Sequence, residues 1–244
     1  PNFNDTTGVV VKRFVYPGIN TQEIGKVAIA LISHNHFDHL DQPTLRQIKP
    51  DTVLVPSGGA TYIPNGVTKK IIPVSENGWE TYNIDSVLIT PVPVKHFGGR
   101  WLIDNIWDGE PYTGYVIRYK DITIFFGGDT GYDEKKFISI GDAFNIDVAL
   151  IPVGPVGLLN YFIDDKLGSP FHVNPFGAIQ ILKDTRAEAM IPIHHSTFYR
   201  KGGREYDLLL ESIKEFPSKE KIYLIEQGEC LEFREDRKLV SCNK

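Results

Sequence analysis

Six consecutive residues, His34-Asn35-His36-Phe37-Asp38-His39, set three imidazoles and a carboxylate one residue beyond the apolar run 27–32. Imidazole nitrogen and carboxylate oxygen are donors that zinc, manganese and iron accept, so a strand delivering them into a turn reads as a metal site. The chain has seven histidines, and the other four, His96, His172, His194 and His195, also lie at the ends of apolar segments. His96 follows the run 90–95, Asp129 follows Phe125-Phe126-Gly127-Gly128, and His194 follows Met190-Ile191-Pro192-Ile193. Two histidines one residue apart can face one ion if the backbone turns there, and an aspartate and histidine further on can face a second. Strand ends converging on one sheet edge would complete both sets.

The elements that must position these residues are legible as short Val- and Ile-rich runs at 52–55, 70–74, 87–90, 115–119, 122–126, 148–151, 190–193 and 222–225. Gly, Pro, Asn and Asp punctuate them, as strands require. Helical spacing appears at 42–49 after a candidate Asp41 cap, at 132–140, at 175–184 after Asn174, and at 205–215. Asn174-Pro175 pairs an N-cap acceptor with a proline at the first helical position. Strand follows strand in the middle and helix alternates with strand in the last third, which fits an α/β arrangement of sheets covered by outer helices. The longest aperiodic segment, 154–173, carries Leu158, Leu159, Tyr161 and Phe162 and ends beside His172. An apolar loop of that length next to a site is a candidate lid or substrate wall.

With 244 residues, 41% hydrophobic and 23% charged, the chain has an ordinary globular composition, and one compact domain over 1–244 is the expectation. Its net charge of -5 and lack of a Lys/Arg block argue against a nucleic-acid partner. Cys230 and Cys242, far in sequence from the histidine cluster, argue against a disulfide framework and against a thiolate-bound metal. No run approaches the roughly 18 apolar residues of a membrane span and no signal-peptide pattern opens the sequence, so a cytoplasmic location is expected.

In order and spacing, His34-x-His36-x-Asp38-His39, His96, Gly127-Gly128-Asp129-Thr130-Gly131 and His194 resemble the metallo-β-lactamase fold of dinuclear hydrolases. Within it, the blocks 33–41, 127–132, 172–175 and 191–194 look like the branch containing the N-acyl-phosphatidylethanolamine-hydrolysing phospholipase D, with similarity over about 12–198. The resemblance implies a four-layer αββα sandwich and two divalent transition-metal ions, zinc by default with manganese or iron open. His34, His36 and His96 would bind one ion, Asp38, His39 and His194 the other, and Asp129 would bridge them. It further implies hydrolysis of a small anionic or lipid-like phosphodiester by a metal-bound hydroxide, with Asp38 orienting the nucleophile and a protonated His172 meeting the leaving group. A lactonase of a neighbouring branch is the alternative. A non-catalytic metal-binding scaffold is a third reading, against which the full ligand set argues. Peripheral membrane contact is compatible with a lipid-like substrate.

The sequence departs from this branch in two places. Only residues 1–26 of the sequence precede the first apolar strand, so the expectation is that this sequence lacks the branch's first N-terminal hairpins or that another polypeptide supplies them, as in an oligomer. His195 stands where the branch usually has an aromatic residue; it either reshapes the pocket or, by strand alternation, turns away from the metals. Arg100, in the segment with Trp101, Asp104 and Trp107, is read as a loop anchor paired with Asp104 rather than an anion ligand. Gly127, Gly128 and Gly131 are read as tight-turn residues, Asp164 and Asp165 as a solvated loop face. Leu158, Tyr161 and Phe162 line an acyl channel or pack in the core.

Overall fold

The structure, a computed structural model, describes residues 15, 17–75, 78–100, 111–154, 166–197, 209, 211–214, 217, 221–234 and 236–242. Strands β1 (Ile29–Leu31), β2 (Thr52–Pro56) and β3 (Lys70–Val74) form a parallel three-stranded sheet in that order. A six-stranded sheet runs β4 (Tyr82–Ile84), β5 (Val87–Val92), β6 (Gly114–Tyr119), β7 (Ile122–Phe126), β8 (Val148–Pro152), β9 (Ala189–Ile193). Its first four strands are antiparallel and its last three parallel. A hairpin of β10 (Leu231–Phe233) and β11 (Leu239–Ser241) stands apart.

The period-2 alternation of strand side chains builds the layers. Val53 and Val55 of β2 pack with Leu40 and Leu45 under helix α1 (Gln42–Ile48), whereas Leu54 between them packs with Ile89 and Tyr115 of the larger sheet. On that sheet Phe126 joins the inter-sheet core, and Phe125 faces Phe137 of helix α2 (Glu134–Ala143) with ring centroids 6.5 Å apart. Helix α3 (Pro175–Thr185) buries Ala178, Ile179, Ile181 and Leu182 in the same outer core. Helix, sheet, sheet and helices thus stack as the expected αββα sandwich.

Helix starts follow their caps. Asp41 accepts from Thr44 N at 2.9 Å and Asn174 from Gly177 N at 3.0 Å, each worth about 1 kcal/mol to its helix. Asp133 caps α2, so the helix begins two residues later than the spacing predicts and runs on to Ala143. The apolar run 222–225 does not form a strand: a single bridge joins Ile222 to Met190, and Tyr223 N donates to Met190 O at 2.9 Å. Within 205–215, Leu209 and residues 211–214 are described and helical.

Cys230 and Cys242 are joined in a disulfide. The expectation drawn from their number overlooked their position. They flank the β10–β11 hairpin, whose antiparallel pairing brings their Cα atoms to 5.3 Å, inside the range a disulfide spans. Among the described residues no helix is long and apolar enough to cross a membrane.

Because β5 and β7 both run antiparallel to β6, and β8 and β9 run parallel to β7, the C-terminal ends of β5, β7, β8 and β9 share one edge. His96, Asp129, Gly154 and His194 all follow those ends.

Candidate metal centre

The smaller sheet brings its own ligands to that edge. Beyond β1, Ile32 N donates to Leu54 O at 2.9 Å, Tyr115 Oη to Ile32 O at 2.8 Å, and Thr113 N to Ser33 O at 2.8 Å, so the chain entering the histidine motif is tied to both sheets. His39 N and Leu40 N then close a turn on His36 O, at 3.1 and 2.9 Å. Arg100 holds this turn from outside: its Nη1 donates to Asn35 O at 3.0 Å and Leu40 O at 2.8 Å, with the guanidinium 4.2 Å from the Phe37 ring centroid. Arg100 is thus a loop anchor, acting through carbonyls and an aromatic face; Trp101, Asp104 and Trp107 lie outside the described residues, as do Leu158, Leu159, Tyr161, Phe162, Asp164 and Asp165.

All seven residues of the expected ligand set come together, in two groups. His34 Nε2 lies 2.9 Å from His36 Nδ1, which lies 3.4 Å from His96 Nε2. In the second group, Asp38 Oδ2 is 3.6 Å from His39 Nε2 and 3.5 Å from His194 Nε2. Asp129, only 3% exposed, links the groups through Oδ2: His39 Nε2 is 3.2 Å away, His194 Nε2 3.5 Å and His34 Nε2 3.9 Å. His172 Nδ1 approaches the same oxygen at 3.8 Å, and its ring lies 5.0 Å from that of His96.

Unsatisfied atoms show that a cation suits this cage. His39 Nε2, Asp129 Oδ1 and His172 Nδ1 are buried and have no hydrogen-bond partner among the described residues; His39 Nε2 is close to Asp129 Oδ2 but off the line of a hydrogen bond. An orphaned buried polar atom costs about 1–3 kcal/mol, and metal coordination would relieve these. The outward nitrogens are engaged: His96 Nδ1 lies 2.9 Å from Phe171 O, and His194 Nδ1 3.0 Å from Gly154 O. A carbonyl there requires Nδ1–H and leaves Nε2 as the inward lone pair once an ion is held. Nitrogen and oxygen donors alone, with no thiolate, fit zinc, manganese or iron.

Burial dominates the electrostatics of most rings. It holds His34 well below its ordinary pKa, lowers His36, and depresses His96 to about 3. It also takes His172 to about 4, against the pull of Asp129. Desolvation outweighs the carboxylate there, which favours a neutral His172 ring in the metal-free chain. Burial pushes the carboxyls of Asp129 and Asp38 upward, but their histidine neighbours outweigh it. Asp129 is held well below its usual range by His194 and His39, and Asp38 at about 2 by the hydrogen bond and charge of His194 and the charge of His39.

His194 is the exception. Burial lowers its pKa, yet Asp129 and the hydrogen bond to Asp38 overcome this and raise it from 6.5 to about 9. Its proton therefore stabilises the metal-free fold fully below about pH 6.5, a contribution lost as pH rises through about 9. An ion must displace that proton. Zinc affinity of the metal-free chain is expected to rise about tenfold per pH unit between 7 and 8, measured by chelator competition, with about one proton released per chain at this residue.

His194 adopts a left-handed backbone (φ 60°), as does Ser196 (φ 56°), conformations that favour glycine and that cluster where function demands them. The neighbouring His195 is occupied elsewhere, its Nε2 3.2 Å from Pro192 O and its Nδ1 3.1 Å from Ser196 Oγ, and it joins neither ligand group. Gly128 (φ 59°) is a turn residue whose added Cβ would stand 2.6 Å from Ser33 Cβ. Sequence reasoning passed over Ser33 itself. Its signal was its place, between the strand and the first imidazole.

A family model described as the beta-lactamase superfamily domain matches residues 3–195. The chain belongs to that superfamily. Among its curated relatives, this superfamily member is 30% identical over 238 residues to the mitochondrial N-acyl-phosphatidylethanolamine-hydrolyzing phospholipase D of Saccharomyces cerevisiae, a match covering 91% of the chain and 48% of the relative. It is 26% identical to a UPF0173 metal-dependent hydrolase of Koribacter versatilis, over 77% of the chain and 74% of the relative. The chain spans about half the length of the first of the curated relatives it matches. A metallo hydrolase structure from Ignicoccus hospitalis superimposes with a TM-score of 0.60 at 18% identity, covering 90% of the chain and 81% of that structure, which establishes the shared fold.

Proposed function

We propose that this superfamily member is a dinuclear metal-dependent phosphodiesterase of phospholipase D type. The observation that carries the reading is Asp129, whose Oδ2 stands within 3.9 Å of a histidine nitrogen from each ligand group while its buried Oδ1 has no hydrogen-bond partner among the described residues. His34, His36 and His96 would hold one ion, Asp38, His39 and His194 the second, and Asp129 would serve both. When bound, two divalent ions supply Lewis acidity that brings a water's pKa to about 7 and draws charge from a phosphoryl oxygen.

The chain's own residues then divide the work. Asp38, kept ionised, orients the attacking water by accepting one of its hydrogens. His172 directs a ring N–H at the oxygen that leaves as the P–O bond breaks, and the neighbouring rings of His96 and His194, 5.0 and 6.1 Å away, leave its side chain only 16% exposed and so limit bulk water's competition for that contact. Two divalent cations exceed the charge of the two carboxylates facing them, so the loaded pocket is cationic and favours an anionic substrate. The name of the yeast relative supports a lipid-like phosphodiester, and such a substrate would bring the protein to a membrane surface peripherally.

The metal-loaded protein is expected to hydrolyse bis(p-nitrophenyl) phosphate and to lose that activity to a chelator. Cleavage of a lactone with no turnover of any phosphodiester would overturn this reading in favour of a lactonase.

A further inference from the structure

Each of the metal-facing imidazoles His96 and His194 has its own backbone carbonyl at Nδ1, whereas among the described residues His34 and His39 have none there. Their outer nitrogens meet one side-chain atom instead: Ser33 Oγ lies 3.0 Å from His34 Nδ1 and 3.3 Å from His39 Nδ1. These two rings belong to different ligand groups, His34 with His36 and His96, His39 with Asp38, Asp129 and His194. Their centroids are 4.0 Å apart, so one hydroxyl wedged beside both can serve both.

We propose that Ser33 is a positioning residue shared by the two metal sites: its hydroxyl oxygen accepts from the Nδ1–H of His34 and of His39, aims both Nε2 atoms inward, and couples the two ion affinities. A hydroxyl oxygen has two acceptor lone pairs, one for each ring. A neutral imidazole ligating through Nε2 carries its one proton on Nδ1, so both rings must donate outward once ions are bound.

The surroundings leave Ser33 little choice of conformation. The residue is 2% exposed, so water does not compete for its oxygen. Its carbonyl accepts from Thr113 N at 2.8 Å, and Gly128, next to Asp129, packs so closely that a Cβ there would come within 2.6 Å of Ser33 Cβ. Ser33 therefore touches the start of β6 in the larger sheet, one ligand of each group, and the turn carrying the bridging carboxylate. A ligand reoriented at one site would disturb the acceptor used by the other.

This inference rests on the dinuclear reading, and its test separates the two. Metal-free wild-type and Ser33→Ala proteins are titrated with zinc against a chromophoric chelator, their metal-free melting temperatures are compared, and the zinc-loaded proteins are examined by 15N-edited imidazole NMR. Both zinc affinities should fall in S33A by about 10- to 100-fold, with the metal-free melting temperature little changed. In zinc-loaded wild type, His34 and His39 should each show a slowly exchanging Nδ1–H, which exchanges faster in S33A. Two bound ions with unchanged affinities in S33A, or with only one weakened, would overturn the role of Ser33 alone. Coordination of either ring through Nδ1 in the wild type overturns it even if S33A does not fold, whereas a wild type that binds a single ion sinks the dinuclear reading as well.

Discussion

Replacement of Asp129 by asparagine is expected to cost both ions and lower kcat/KM for phosphodiesters by at least about 10³-fold, since metal-centred charge stabilisation is worth several kcal/mol. No other carboxylate in the centre is placed like this one. It is 3% exposed, and its Oδ2 lies between His34 on one side and His39 and His194 on the other. An asparagine has nearly the same shape but no charge, so the change isolates electrostatics from packing. It also removes the largest upward influence on His194, whose raised pKa depends first on Asp129 and then on Asp38. In metal-free D129N that histidine should therefore titrate below about 9, a shift visible by NMR independently of activity. Metal content measured by atomic absorption decides the matter: D129N retaining two ions and near-wild-type turnover would refute the bridging role.

Removal of the His172 ring should divide substrates by their leaving group. If His172 directs an N–H at the departing oxygen, His172→Ala should slow cleavage of an alkyl phosphodiester by about 10²- to 10³-fold, because the negative charge growing on an alkoxide needs that hydrogen bond. Hydrolysis of bis(p-nitrophenyl) phosphate should suffer far less, since p-nitrophenolate departs unaided. The position of the ring motivates this: Nδ1 is buried, unpartnered among the described residues, and 3.8 Å from Asp129 Oδ2. The backbone holding it is well braced, with His172 N donating to Ser169 Oγ at 3.0 Å and Val173 N to Thr130 O at 2.8 Å. An equal loss on both substrates would assign His172 to supporting the cage rather than to leaving-group chemistry.

What the sequence made legible follows from which interactions are local. A strand running into His34-x-His36-x-Asp38-His39 announces donor atoms without any tertiary knowledge, and the Asp41 and Asn174 caps are read from neighbours three residues away. The edge on which β5, β7 and β9 deliver His96, Asp129 and His194 was anticipated because each of those residues follows within four positions of its strand's end. The pairing of Ser33 with two imidazoles was not, since nothing in a serine's type reveals which nitrogens it faces. Arg100 illustrates the same limit: an anchoring role could be inferred from residue type, but its use of Asn35 O and Leu40 O depends on a fold that brings residues 60 or more positions apart together. The run 222–225 failed as a strand for the opposite reason, its local pattern being satisfied by a single bridge to β9. The Cys230–Cys242 link escaped a count of cysteines but follows from the hairpin between them.

We propose that two ions held by these seven residues drive phosphodiester hydrolysis. Titrating the metal-free chain with zinc while following bis(p-nitrophenyl) phosphate hydrolysis tests it most directly. The predicted result is a rate that keeps rising until about two equivalents are bound and then levels off, with full reversal by chelator. A plateau at one equivalent, or a fully loaded protein that opens lactones but leaves every phosphodiester intact, would contradict it.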